Sequence, residues 1–133
     1  GMNKILSITE VEYLKFNEGW SDFDGYKVVT EQEEILCLIH NGRNCCEVWG
    51  YFSSPDDPSD FIGAELRDVK VVDDALDVLD IPPDIGVYAN IQFVTFETSR
   101  GDFQLAVYNE HNGYYGHKVK ILRGAQTLCD NVI

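Results

Sequence analysis

The chain has 133 residues, a length typical of one domain, and no linker-like segment divides it. Its 44% hydrophobic content includes no apolar run of the roughly 20 residues that a membrane-spanning helix needs. Twenty-three acidic residues against ten basic ones give a formal net charge of -13, and no two basic residues are adjacent. Phosphate recognition needs clustered Lys and Arg, so we expect neither nucleic-acid nor membrane binding.

The first third of the chain predicts short strands joined by turns. Residues 10–13 alternate between polar and apolar types, which is typical of a half-buried strand. A polar turn at residues 20–25 precedes a β-branched strand at 26–30. Residues 35–39 are continuously apolar between polar neighbours, a pattern that predicts a central strand.

A β-hairpin is predicted next, at Asn41-Gly42, because Asn-Gly is favoured where both turn residues adopt positive φ. The partner strand is predicted from about Cys45 to Phe52. The loop at residues 53–60 is rich in Asp and Pro and predicts the start of a short helix that ends near Gly63. Acidic residues and proline suit a first helical turn, and glycine suits the end.

The second half predicts further strands at residues 66–72, 87–98, 103–108 and 119–121. A turn at residues 99–102 separates the second and third of these strands. The acidic segment between residues 73 and 86 contains Pro82-Pro83 and predicts a mobile region with one helical turn at residues 75–79. Asn112-Gly113 predicts a second hairpin turn.

These elements together predict one α+β domain that spans residues 1–133. Antiparallel β hairpins are expected to dominate it, with one or two short helices. Gly1 precedes Met2 and is interpreted as a tag remnant.

Four cysteines, at positions 37, 45, 46 and 129, are expected to be free thiols in a reducing cytoplasm. Adjacent residues strain the geometry of a disulfide, so Cys45 and Cys46 are poor partners for each other. Cys37 lies within an apolar run, as a small buried hydrophobe does. The residues after Met2 alternate in character and do not resemble a signal peptide.

Two segments of unusual composition follow the two His-Asn-Gly sequences, at 40–42 and 111–113. We predict that they lie close together and form one functional patch, in which Glu47 accepts hydrogen bonds from a Tyr hydroxyl or a Gly-rich turn. The patch comprises Cys45, Cys46, Glu47, His111, Asn112, Gly113, Tyr114 and Tyr115.

The same segments raise the question of metal or nucleophile chemistry. Cys and neutral His are zinc ligands, but neighbouring residues on a strand point to opposite faces, so Cys45 and Cys46 have poor spacing for a shared site with His111 and His117. No Gly-rich oxyanion loop precedes the cysteines, as a Cys–His nucleophile would need. We therefore expect no metal, no cofactor and no catalytic residue.

The sequence also resembles a known family. Cys45-Cys46-Glu47, Phe61-Ile62-Gly63, the strand at residues 93–98, Gly101 and Asn112-Gly113-Tyr114-Tyr115 occur in the same order in a family of small bacterial and phage proteins classed only as a domain of unknown function. The similarity extends from about Glu33 to Ile121. It implies a bacterial or phage cytoplasmic origin, and it implies no enzyme activity or cofactor.

The acidity and the aromatic residues favour a protein-binding role. An immunity or inhibitor protein that covers a basic partner would use both features directly. Two alternatives remain: a small enzyme or metal-binding protein with a site at Cys45, Cys46 and His111, and a homo-oligomer that pairs through an exposed edge strand.

Overall fold

The computed structural model describes residues 3–15, 22–42, 48–54, 57–73, 75, 81–83, 85, 89–110 and 116–133. Within these residues the chain forms strands almost throughout. The strands are β1 (Ile5–Lys15), β2 (Asp22–Thr30), β3 (Glu34–His40), β4 (Val48–Ser54), β5 (Leu66–Val72), β6 (Asn90–Thr98), β7 (Gly101–Glu110), β8 (Lys118–Arg123) and β9 (Gln126–Val132).

The strands form two antiparallel sheets. One has five strands in the order β1-β2-β3-β8-β9, and the other has four in the order β4-β7-β6-β5. The central strand predicted at residues 35–39 is confirmed, since β3 lies in the middle of the five-stranded sheet. Its apolar run is continuous because Ile35, Cys37 and Ile39 belong to the core between the sheets, while Leu38, on the other face, is also fully buried.

The two sheets pack face to face through one hydrophobic core. Period-two alternation places every second side chain of each strand between the sheets. Phe96 on β6 and Phe103 on β7 stack with ring centroids 4.7 Å apart. Burying each side chain of this size stabilises the fold by roughly 1.5–3 kcal/mol. The fully buried residues include Ile5, Val28, Ile35, Cys37, Ile39, Val94, Phe96, Phe103, Leu105, Val107, Val119 and Ile121.

A second, smaller cluster covers the outer face of the four-stranded sheet. Phe52 and Phe93 meet edge to face there, with centroids 6.1 Å apart. Ala75, Ile81 and Ile85, from the connection between β5 and β6, pack against this cluster. These three described residues of the acidic, proline-containing segment therefore contribute to the fold.

The predicted α+β class is wrong, because the protein is almost entirely antiparallel β-sheet. The only helical element in the described part of the chain is a four-residue 3-10 turn, Pro58–Phe61, where a short helix was expected. Asp57 caps this turn by accepting a hydrogen bond from the Ser59 N–H at 3.1 Å. Ile62 then returns to an extended conformation and ends it. Of the helical turn predicted at residues 75–79, only Ala75 is described.

The hairpin predicted at Asn41-Gly42 is also wrong, and the second predicted turn, Asn112-Gly113, lies outside the described residues although its flanking strands are described. β3 and β4 lie in different sheets, and so do β7 and β8, so both connections cross from one sheet to the other. Asn41 instead donates its amide to Asp24 Oδ1 at 2.9 Å. The turn predicted at residues 99–102 does join neighbouring strands, β6 and β7, whereas β9 was not predicted.

A charged cluster ties the two sheets together at one end of the sandwich. Glu33, in the β2–β3 turn, accepts two hydrogen bonds from Arg123 at 2.6 and 3.0 Å and one from the Asn3 amide at 2.9 Å. Arg123 Nη1 also lies 3.7 Å from Asp68 Oδ1 on β5. Arg123 lowers the pKa of the Glu33 carboxyl, against the opposing effect of burial.

Replacing Glu33 with Gln is expected to reduce the free energy of unfolding at neutral pH by about 1–2 kcal/mol, because a charged bidentate pair is lost. The folded-state pKa is lower than the ordinary 4.5, so this contribution is present above pH 4.5 and is lost as the pH falls through the folded-state value. Urea unfolding of both proteins at neutral and acidic pH measures the difference.

Glu34→Gln is the matched control, since Glu34 pairs with Lys27 at 3.3 Å on the exposed surface. A change of at most about 0.5 kcal/mol is expected there. Equal losses in the two variants, or a Glu33→Gln loss that persists in acid, would contradict the role of the carboxylate.

Gly25 allows β2 and β3 to approach closely. A Cβ at this position would lie 2.0 Å from the Cys37 carbonyl oxygen, and the backbone φ is +152°. Gly25→Ala is therefore expected to lower the free energy of unfolding by about 3 kcal/mol. At Gly124, φ is +57° and no heavy atom lies within 4 Å of the added carbon. Gly124→Ala should cost only about 1 kcal/mol of backbone strain, and similar losses in chemical denaturation would refute the steric argument.

Candidate functional site

The functional patch predicted from the sequence lies outside the described residues. This applies to all eight members: Cys45, Cys46, Glu47, His111, Asn112, Gly113, Tyr114 and Tyr115. Their described neighbours do meet, because Val48 pairs with Glu110 in the β4–β7 register. The two segments therefore start from adjacent positions on paired strands. Their proximity beyond that point stays a prediction.

His117, a candidate metal ligand in the sequence, is held in the protein interior. It is 2% exposed, and its Nδ1 lies 2.6 Å from the His40 carbonyl oxygen. A carbonyl only accepts, so Nδ1 carries the proton and is not available to a metal. The ring lies 5.6 Å from the His40 ring and 6.1 Å from the Trp49 ring. In the part of the chain that the structure describes, no group of three His, Cys, Asp or Glu side chains is arranged to hold a metal ion.

The two described cysteines are both free thiols, as expected. Burial raises the pKa of the Cys37 thiol far above its usual range. Burial also raises the pKa of Cys129, and the nearby Asp130 carboxylate adds to this effect. Both residues therefore stay protonated at neutral pH, which is the opposite of what a nucleophilic cysteine needs.

A surface that the sequence reasoning missed lies where β1 and β2 approach β4. We call it the acidic flank and define it as Glu10, Glu12, Asp24, Tyr13 and Tyr51. Tyr51 projects from β4, and its hydroxyl donates to Glu10 Oε2 at 3.4 Å. The alternation of polar and apolar residues in β1 is visible in the sequence. The contact between Tyr51 and Glu10 is not, because it depends on how the two sheets pack.

Burial and the carboxylates of the acidic flank together raise the pKa of Tyr51. Its ring packs edge-on against Tyr26, with centroids 5.2 Å apart. Burial raises the pKa of Tyr51 to about 12, and the carboxylates of Glu10, Asp24 and Glu12 act in the same direction. The hydroxyl therefore stays protonated, and can donate to Glu10, to a higher pH than that of an ordinary tyrosine.

Tyr13 is the exposed aromatic residue of the flank. It lies within the irregularity between Val11 and Leu14, where the β1–β2 register shifts. Its φ of +55° is unusual for a residue other than glycine, and 67% of its surface is exposed. Asp24 holds this conformation, since its Oδ1 accepts from the Tyr13 backbone N–H at 3.0 Å and from the Asn41 amide at 2.9 Å.

The architecture and this flank define a small, acidic, two-sheet β domain. The chain belongs to the DUF7448 family, a domain of unknown function, whose family model matches residues 2–121. The predicted membership of an uncharacterised family is thus confirmed, while its CCE and NGYY motifs and its bacterial or phage origin stay predictions. No curated protein and no solved structure gives a significant match.

The family match ends before β9, which begins at Gln126. None of the described helical residues forms a helix long and apolar enough to span a membrane.

Glu10→Gln is expected to move the pKa of Tyr51 from about 12 back towards its ordinary 10.0, because it removes the nearest negative charge. A raised tyrosine pKa contributes stability that is complete below pH 10 and is lost as the pH rises through the folded-state value. NMR titration of the Tyr51 ring measures the shift. Glu65→Gln removes an exposed carboxylate elsewhere and should leave Tyr51 unchanged; equal shifts would contradict the assignment.

Proposed function

We propose that this domain binds a protein partner with a basic surface, as an immunity or inhibitor protein does. The observation that carries the proposal is the acidic flank, where Glu10 contacts Tyr51 and the nearby carboxylates of Asp24 and Glu12 add to the negative potential at its hydroxyl, in a chain of net charge -13. A bacterial or phage origin and a cytoplasmic location are part of the same proposal.

The pairing of charges supports this proposal. Four basic residues elsewhere have acidic partners: Lys27 with Glu34, Lys70 with Glu97, Lys120 with Asp130 and Arg123 with Glu33. In contrast, Glu10, Glu12 and Asp24 form no ion pair with any described basic side chain. Negative charge on the flank is therefore not neutralised by the described cations, and it attracts a basic partner most strongly at low salt.

The exposed aromatic ring gives the flank a second means of recognition. Tyrosine contributes a large contact area at a small entropic cost and is enriched at the centres of protein interfaces. Tyr13 is exposed beside the carboxylates and is held in position by Asp24. A Lys or Arg side chain can contact the ring face and a carboxylate together.

The enzyme or metal-binding alternative depends on Cys45, Cys46 and His111, which all lie outside the described residues. No contact of the described residues favours it over binding. A homo-oligomeric role remains compatible with the proposal, since a binding module can also self-associate.

A charge-reversal pair tests the proposal. The probe is a fluorescent decapeptide of alternating Lys and Val, with a Glu–Val decapeptide as its acidic counterpart. Glu10→Lys/Glu12→Lys should weaken binding of the basic probe about tenfold or more at low salt. Fluorescence anisotropy measures the dissociation constants.

Asp73→Lys/Asp102→Lys is the matched control, with the same change of net charge at exposed positions on or beside the four-stranded sheet. It should weaken binding only by about twofold to threefold. Equal weakening by both pairs would mean that net charge alone attracts the probe. Failure of the basic probe to bind more tightly than the acidic one would refute the proposal.

A further inference from the structure

The geometry of β1 points to the way in which the partner binds: a basic segment of the partner adds to the five-stranded sheet as an extended strand along β1. This inference rests on the proposed function and specifies the surface and the binding mode. It combines the backbone at the sheet edge with the exposed side chains on either side of it.

β1 lies at the edge of the five-stranded sheet. At its N-terminal end, the outer side of β1 already forms backbone hydrogen bonds. The Ile5 N–H donates to the Ala64 carbonyl at 2.9 Å, and the Ile5 carbonyl accepts from the Gly63 N–H at 2.8 Å. Lys4 and Glu65 form an antiparallel bridge there. From Leu6 onward no described residue continues this pairing. A partner strand therefore finds an edge at which the described part of the chain pairs over only a few residues.

The available stretch is short and regular. From Ser7 to Val11, β1 pairs with β2 without interruption, and the register shifts at both ends of this stretch, between Ile5 and Ser7 and between Val11 and Leu14. Bulges end regular pairing and limit the addition of long strands. The stretch from Ser7 to Val11 spans about 17 Å at 3.3 Å per residue, which suits a partner segment of about five residues.

The side chains around this stretch indicate which kind of partner segment can bind there. Leu6 is 54% exposed at one end, and Tyr13 is 67% exposed beyond the other. Glu10 and Glu12 are exposed between them. An extended segment with alternating cationic and apolar residues would match both the carboxylates and the apolar contacts. Pairing of β1 with β1 of a second copy is disfavoured, because it brings the same carboxylates together in two chains of charge -13.

Backbone methylation of the probe tests the inference. The Lys–Val decapeptide is compared with the same peptide N-methylated at alternate residues, which keeps the charge but removes donors from one edge. Both registers of methylation are made, so that one of them blocks the edge facing β1. We expect the blocked form to bind about tenfold more weakly, and the unmodified form to slow hydrogen exchange at residues 6–11.

The outcomes separate the inference from the proposed function. If both methylated peptides bind as tightly as the unmodified peptide and exchange at residues 6–11 is unchanged, the β1 inference fails and basic-partner binding stands. Protection on β4 in place of β1 also overturns the inference. If no basic peptide binds more tightly than the Glu–Val peptide, both fail. Protection of residues 6–11 in a dimer formed without peptide would replace the partner strand with a second copy.

Discussion

The rest of the structure depends on the apolar contact between the two sheets. Neither sheet can leave its inner face in water, so alternate residues of nearly every described strand meet in one core around Phe96 and Phe103. This contact buries Cys37 and raises its thiol pKa. It also brings Tyr51 of one sheet against Tyr26 of the other. The chemical character of these residues is thus a consequence of how the sheets pack.

Two connections carry the chain between the sheets, β3 to β4 and β7 to β8. In the four-stranded sheet, the strands that these connections join, β4 and β7, pair with each other, and Val48 lies opposite Glu110. In the five-stranded sheet, β3 and β8 also pair with each other, and His117, just before β8, donates a hydrogen bond to the carbonyl of His40 at the end of β3. Both crossings therefore leave from the same end of the sandwich. The strands that flank each of the two Asn-Gly sequences therefore lie in different sheets and do not pair with each other.

Charged residues serve two different purposes in this domain. At one end, Glu33 and Arg123 neutralise each other while joining the β2–β3 turn to β8, and Asp68 of the other sheet lies close by. On the acidic flank, Glu10 and Asp24 have hydroxyl or N–H partners instead of described cations. The first arrangement contributes to stability, whereas the second leaves its negative charge without a described cationic partner. That contrast, more than the net charge itself, supports the proposed binding at the β1 edge.

The sequence by itself determined most of the strands, because a short, mostly apolar run between polar turns is typical of a strand that is buried on both faces; residues 35–39 and 103–108 are direct examples. It did not reveal β9, whose polar residues are mostly exposed at a sheet edge. Membership of a sheet was decided only by tertiary structure, since Asn-Gly permits a tight turn without requiring its flanking strands to pair. The acidic flank likewise joins Glu10 and Tyr51, which are 41 positions apart, through packing between sheets that no local pattern encodes.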